Sequence, residues 1–183
     1  RAFQNCADCQ QRGIELKVSI NLSSKDLHDL ELPDQIAGLT AKTGIQPERV
    51  VFEITESSIM GDPARALIIV ERLRGMGYQF SIDDFGTGYS SMSYLKKLPL
   101  SELKIDKSFV LDMLSSENDA IIVRTIVDLA HNLGFTVTAE GIENTETLNM
   151  LKNMGCDIGQ GFLFGKAMPL ADLEKWLSNR AST

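Results

Sequence analysis

The sequence predicts an α/β fold whose parallel sheet curls toward a TIM-like (β/α) barrel. Three observations predict it. Short β-branched runs alternate with helical segments along the whole chain, about six βα units in all, and strict alternation of this kind builds a parallel sheet covered by helices. No low-complexity linker interrupts the order, so residues 1–183 read as one domain. Each strand also ends in a polar group: Asn21, then Glu53 and Glu56, Asp83 and Asp84, Lys104 and Asp106, Glu140 and Glu143, and Gln160. An open sheet gathers ligands at a switch point and needs functional groups at only one or two strand ends. Groups at every carboxyl end converge only if the sheet closes. A complete barrel takes eight strands and about 250 residues. The expectation is therefore an incomplete eight-strand barrel, two strands short.

The elements follow in order. Residues 1–12 read as the end of a helix stopped by Gly13. Leu16–Ile20 is a short strand, with Asn21 at its end. Pro33–Thr43 is a helix closed by Gly44, and Arg49–Thr55 alternates as a strand should. Asp62 and Pro63 open the next helix as N-cap and first residue, and it runs to Arg74. Tyr78–Ile82 is the strand before the paired aspartates. Ser90–Lys97 reads as a short helix ended by Pro99, and Glu102–Ile105 as a strand. Asn118–Leu133 is a helix with Ile121, Ile122, Thr125, Ile126, Leu129 and Leu133 on one face. Phe135–Ala139 is a strand, Thr145–Met154 a helix, Asp157–Gly159 a very short strand and Leu170–Leu177 the last helix.

Composition narrows the chemistry. The net charge of −7 argues against a broad electrostatic footprint for DNA or RNA. A small anionic ligand stays compatible where metals or a lysine reverse the local field. The longest pure apolar runs, such as Ala66–Val70, are far too short to span a bilayer, and free thiols fit a reducing, cytoplasmic setting. Cys6 and Cys9 lack the second pair of ligands that a zinc site needs and read as small residues on one helix face. The two histidines, His28 and His131, lie on polar segments away from any strand end and read as surface residues. A Ser-His-Asp or Cys-His mechanism therefore has no support.

What is left is a set of carboxylates with one amide and one lysine. Hard oxygen donors suit Mg²⁺, Mn²⁺ or Ca²⁺ rather than zinc. The run Ser81–Ser91, SIDDFGTGYSS, concentrates the problem. Adjacent carboxylates repel, so a fold that unites Asp83 and Asp84 needs a cation or a shared proton. Two such groups can bridge two ions about 3.5–4 Å apart, the arrangement that clamps the attacking and leaving oxygens in phosphodiester cleavage. Lys104 lies within a strand and points inward, where an unpaired lysine is rarely structural. Structural alternatives stand beside several of these readings. Glu56 and Asp106 suit helix caps. Asn21 suits an Asx-turn. Gln160 suits a backbone contact at the barrel end. Gly86 and Gly88 suit a turn with positive φ.

The segments SINLS (19–23), FEITES (52–57), DDFGTGYSS (83–91), LKIDKSFV (103–110), AEGIE (139–143) and GQGFLFG (159–165) resemble, in order, the motifs of the EAL domain family. These are bacterial phosphodiesterases that hydrolyse cyclic di-GMP to linear pGpG on a TIM-like barrel. The resemblance implies that Asn21, Glu53 and Asp83 ligate a first metal. Asp83 would bridge, with Asp84 and Glu140 toward a second. Glu140 is the implied general base, and Lys104 holds the attacking water or the phosphate. Glu56 anchors the DDFGTG loop, while Asp106, Glu143 and Gln160 complete the polar network. The implied ions are Mg²⁺ or Mn²⁺, two in number, with Ca²⁺ either inhibitory or a substitute. The implied partners are cyclic di-GMP, a second copy of the chain through the helices flanking the DDFGTG loop, and an upstream sensory or GGDEF-type domain. The Glu-Ala-Leu tripeptide that names the family, with its downstream arginine, does not occur in these residues. A binding or regulatory module without catalysis is therefore the alternative reading.

Overall fold

The computed structural model describes residues 2–88 and 95–180. Six strands form one parallel sheet: β1 (Val18–Asn21), β2 (Val50–Thr55), β3 (Gln79–Phe85), β4 (Glu102–Ile105), β5 (Thr136–Ala139) and β6 (Ile158–Gly159). Their order in space is their order in sequence. Crossovers between parallel strands are right-handed. An order that never reverses therefore sends every covering helix to the same face, and there is no switch point. A sheet covered on one face only curls around the other, and the result is a half-barrel of TIM-like design.

The helices are α1 (Ala2–Gln11), α2 (Leu32–Thr43), α3 (Glu56–Met60), α4 (Pro63–Gly75), α5 (Lys107–Asp112), α6 (Glu117–Asn132), α7 (Thr145–Asn153) and α8 (Leu170–Arg180). The last runs three residues beyond its expected end. Short polar segments begin them where the residues dictate. Asp62 caps α4, its Oδ1 accepting from Arg65 N at 3.1 Å, with Pro63 next in line. Asp106 caps α5 by accepting from Ser108 N at 2.9 Å. The sequence expectations gave no range for α3 or α5, the latter implied only by the cap at Asp106, and did not include the 3₁₀ turns at Asp26–His28 and Pro47–Arg49. Each is a turn or two long, too short for a periodic signal. Most of the helix expected over Ser90–Lys97 lies outside the described residues.

Strand parity divides the molecule. Phe52 and Ile54, Phe80 and Ile82, Leu103 and Ile105, Val137 and Ala139 are all buried on the helix-covered face. They pack against Ile69, Val70 and Leu73 of α4, Val110 of α5 and the buried side of α6. Phe52 also lies 5.1 Å from Tyr78 and 5.6 Å from Phe80, ring centre to ring centre. The α6 face is turned from the expected one. Ile126 is buried, and Ile122, Leu129 and Leu133 are partly buried against the core, as expected. Ile121, however, is 56% exposed, and the buried positions are Val123, Ile126, Val127 and Ala130. These follow the spacing i, i+3, i+4, i+7, which is the stripe a helix presents to a core. Valine and alanine there let the helix approach β4 and β5 closely.

Candidate active site

The other face of the sheet is polar, and residue period explains why the site lies on it. Successive strand residues point to opposite faces, and residues in register across parallel strands share one. Asn21 pairs with Glu53, Glu53 with Ser81, Ser81 with Glu102 and Glu102 with Thr136. Nearer the carboxyl ends lie Thr55 beside Asp83, and Lys104 beside Thr138. This is a row of oxygen-bearing side chains where an ordinary barrel layer is filled by branched apolar residues.

Lys104 draws the row together. It is 4% exposed, and its Nζ lies 2.8 Å from Glu53 Oε1, 2.8 Å from Asp83 Oδ1 and 2.6 Å from Glu140 Oε1. Glu53 is on β2 and Glu140 follows β5, three strands apart. In a flat sheet that separation is roughly 14 Å. Only a concave face brings both to one ammonium group. Burial lowers the lysine's proton affinity, but its pairing with Asp83, Glu140 and Glu53 outweighs that and raises it well above the ordinary value. Glu140 is pushed above the usual carboxylate range by burial, with Asp83 and Glu53 adding to the rise while Lys104 opposes it.

The paired aspartates reach the same face through a backbone irregularity. Ile82 pairs with Leu103 and Phe85 with Ile105, so β3 uses three steps where β4 uses two. The register shift is a β-bulge at Asp83–Asp84, and bulges re-aim side chains. Asp84 is the one non-glycine residue with positive φ among the described residues, at 52°, a conformation that aspartate tolerates better than most. Asp83, Asp84 and Glu140 each offer a carboxylate oxygen, and those atoms lie within 4.8 Å of one another. Burial raises the Asp84 pKa, with Asp83 and Asp106 adding to it. The Asp106 carboxyl is held low despite burial, because Ser108 and Asp84 hydrogen-bond to it. Hard oxygen donors at this separation, with unbalanced negative charge, fit a divalent cation of the magnesium or manganese kind.

Glu56 lies beside this centre. It is 6% exposed, and its Oε1 accepts from Gly86 N at 3.1 Å. Its Oε2 is buried without a hydrogen-bond partner, and a Cβ on Gly88 would come within 2.8 Å of it. Positive φ thus accounts for Gly86, at 98°, whereas Gly88 is required for space. Asn21, Glu143 and Gln160 are exposed at the strand ends. Gln160 is held through its backbone, its N donating to Ala139 O at 2.9 Å and its O accepting from Ile142 N at 3.0 Å. Among the described residues no hydrogen bond or ion pair ties these three side chains to Lys104 or to the acidic group.

Ser81, Glu102 and Thr138 were not among the sequence candidates. Thr138 Oγ1 donates to Glu102 Oε1 at 2.5 Å, and Ser81 Oγ is wholly buried with no partner. Their signal was period two: each precedes a candidate (Asp83, Lys104 and Glu140) by two residues. The histidines stand apart from the centre. His131 Nε2 pairs with Asp157 Oδ2 at 2.9 Å, and His28 contacts the Ser24 carbonyl. Cys6 and Cys9 are buried together on α1 as free thiols. Among the described residues no helix is long and apolar enough to cross a membrane.

Known proteins resemble this chain in sequence and fold. The EAL domain family matches residues 1–167. An uncharacterized protein of Azorhizobium caulinodans is 49% identical over 152 residues, which span 83% of this chain and 21% of that protein. The bifunctional diguanylate cyclase/cyclic di-GMP phosphodiesterase MucR of Pseudomonas aeruginosa is 41% identical over 156 residues, spanning 85% of this chain and 23% of MucR. The chain thus covers only about a fifth to a quarter of the length of these relatives. The structure of the MucR phosphodiesterase in complex with c-di-GMP superposes with a TM-score of 0.90 at 38% identity, over 94% of this chain and 70% of that one. A match over residues 1–167, together with the same curled sheet at that identity, establishes that this chain belongs to the EAL domain family.

Proposed function

We propose that the chain is the larger part of a metal-dependent phosphodiesterase domain that hydrolyses cyclic di-GMP to pGpG. The observation that carries this reading is the convergence of Glu53, Asp83, Asp84 and Glu140 with Lys104 on the concave face, in a member of a family that includes MucR. Residues 1–183 are read as an EAL-type phosphodiesterase domain lacking its first two strands.

Asp83, Asp84 and Glu140 are the residues that would hold Mg²⁺ or Mn²⁺, with Glu53 and Asn21 completing the first-ion set. A bound divalent ion supplies Lewis acidity and a more acidic water. The remaining work belongs to the protein. Glu140 takes a proton from the attacking water. Water oxygen bonds to phosphorus, the P–O3′ bond breaks, and the departing O3′ takes up a proton, the one Glu140 removed or one from solvent, which leaves a 3′-hydroxyl and the 5′-phosphate that defines pGpG. Lys104 faces the phosphate and balances its charge. Glu56 secures the Gly86 loop, Asp106 orients Asp84, and Glu143 and Gln160 line the rim toward the nucleotide. The protein acts in the cytoplasm, as a homodimer through the helices flanking the DDFGTG loop. Sedimentation showing only monomer, with and without ligand, would count against that dimer.

The direct test is to incubate the protein, upstream strands included, with cyclic di-GMP and Mg²⁺ or Mn²⁺ and to separate the products. Formation of pGpG is expected. Asp83→Asn is expected to cut turnover by about 10²-fold or more, because it removes a charge facing both the ion site and Lys104. Unchanged turnover in that variant would defeat the metal assignment. Tight nucleotide binding by calorimetry without pGpG would replace this reading with a binding module.

A further inference from the structure

We propose that Lys104 is the internal counter-ion of this site, and that its ammonium group and a divalent cation alternate on the same carboxylates. The proposal rests on the metal-dependent reading above and adds what happens before the metal arrives.

The argument begins with donors. An ammonium group has three N–H donors and no acceptor. Lys104 has three carboxylate partners, Glu53, Asp83 and Glu140, at 2.8, 2.8 and 2.6 Å. Its hydrogen bond goes to Asp83, and the other two carboxylates flank the ammonium group as ion pairs. In this arrangement Lys104 faces the protein's own charge rather than a water or a phosphate oxygen. Two of its three partners, Asp83 and Glu140, also belong to the group whose oxygens lie within 4.8 Å of one another. A cation entering that group therefore meets a buried like charge paired with two of its ligands, and repulsion between the two cations favours one or the other.

The fold has a use for the first of them. Glu53 is 8% exposed, and Asp83 and Glu140 are only partly exposed. Carboxylates this close and this dry repel strongly when nothing stands between them. Lys104 lets the half-barrel close in the absence of metal. When Asp83 and Glu140 turn to an ion, Lys104 is freed at the place where the substrate phosphate must lie. Metal loading thus releases the lysine for its role toward the nucleotide, and metal precedes substrate.

The experiment compares the purified protein with Lys104→Met, both stripped with EDTA and then dialysed. Thermal melts are recorded without metal and with Mn²⁺, and Mn²⁺ affinity is measured by calorimetry. The wild type is expected to melt cooperatively without metal. Lys104→Met is expected to melt about 5 °C or more lower without metal and to recover with Mn²⁺. It is also expected to bind Mn²⁺ about tenfold more tightly, a change that a merely structural role for the lysine would not produce. A Lys104→Met protein that folds only when Mn²⁺ is present is the extreme form of the same result.

Coincident metal-free melts, or Mn²⁺ affinity equal to or weaker than that of the wild type, would overturn the exchange alone. No Mn²⁺ uptake by either protein would overturn the metal reading itself. If Lys104→Met does not fold under any condition, the wild type still decides. Its Lys104 ammonium ¹⁵N resonance, held by three carboxylates when metal-free, must shift on saturation with Mg²⁺. A resonance that stays in place overturns the proposal.

Discussion

Asp84 is a residue whose position depends on the backbone beneath it. In a regular strand it would point away from Asp83, into the layer of helices. The bulge at Asp83–Asp84 and a φ of 52° turn it to the concave face, where it hydrogen-bonds to Asp106. Glu140 shows the other side of such placement. Its folded-state pKa is raised, so the folded protein retains that proton longer than the unfolded chain, whose glutamates titrate near 4.3. By linkage, the contribution of Glu140 to stability falls as pH rises from the unfolded value through the folded one, and the loss is complete above it. Glu140→Gln removes that loss. The metal-free variant is expected to melt at or above the wild-type temperature at pH 7.5 while losing about 10²-fold or more in turnover. Melting profiles of both proteins between pH 4 and 8 check the sign, and a variant clearly less stable at pH 7.5 would contradict it.

At the scale of elements, the rim of the site depends on how helices begin. The loop from Glu140 to Asn144 connects β5 to α7, and Asn144 Oδ1 accepts from Thr147 N at 2.8 Å. Asn144→Ala leaves that donor without a side-chain partner and is expected to cost about 1 kcal/mol of stability, with a smaller loss of turnover through the neighbouring Glu143. Denaturant midpoints measure the first effect and product formation the second. The same loop is held against the end of β6. Ile142 N donates to Gln160 O, Leu163 N donates to Ile142 O, and a Cβ on Gly161 would come within 2.2 Å of the Ile142 carbonyl oxygen. AEGIE and GQGFLFG are thus two halves of one backbone contact, and the glycine in the second is the condition for it.

Over the whole molecule, one face of the sheet is apolar and covered, and the other is polar and concave. Among the described residues β1 pairs only with β2, and β6 only with β5. Both edges present unpaired backbone groups, and Ile158 on β6 is 48% exposed. Exposed edges template further pairing. The 183-residue chain by itself is expected to associate without a fixed stopping point as its concentration rises. Addition of the upstream strands is expected to suppress that association. Sedimentation velocity separates this outcome from a closed dimer, which stops at two copies, and a strictly monomeric 183-residue chain would refute it.

Much of this was legible in the amino-acid sequence, because its signals are local. β-Branched runs between helical segments determine a parallel sheet. A polar residue at each strand end determines a site at the carboxyl edge, and an inward lysine among carboxylates marks its centre. Glu102 and Thr138 could also have been read, two residues before Lys104 and Glu140, by carrying the strand period one step further. The rest depended on atoms distant in sequence. The α6 stripe was set by which side of the helix β4 and β5 left to cover, and Ile121 lost its place to Val123. Only the tertiary structure decided that Asp83 and Asp84 share a face, because strand periodicity by itself separates neighbours and a bulge is defined against the partner strand. Only it showed that Lys104 pairs with Glu53, Asp83 and Glu140 together, because curvature brings β2 and β5 within reach of one ammonium group.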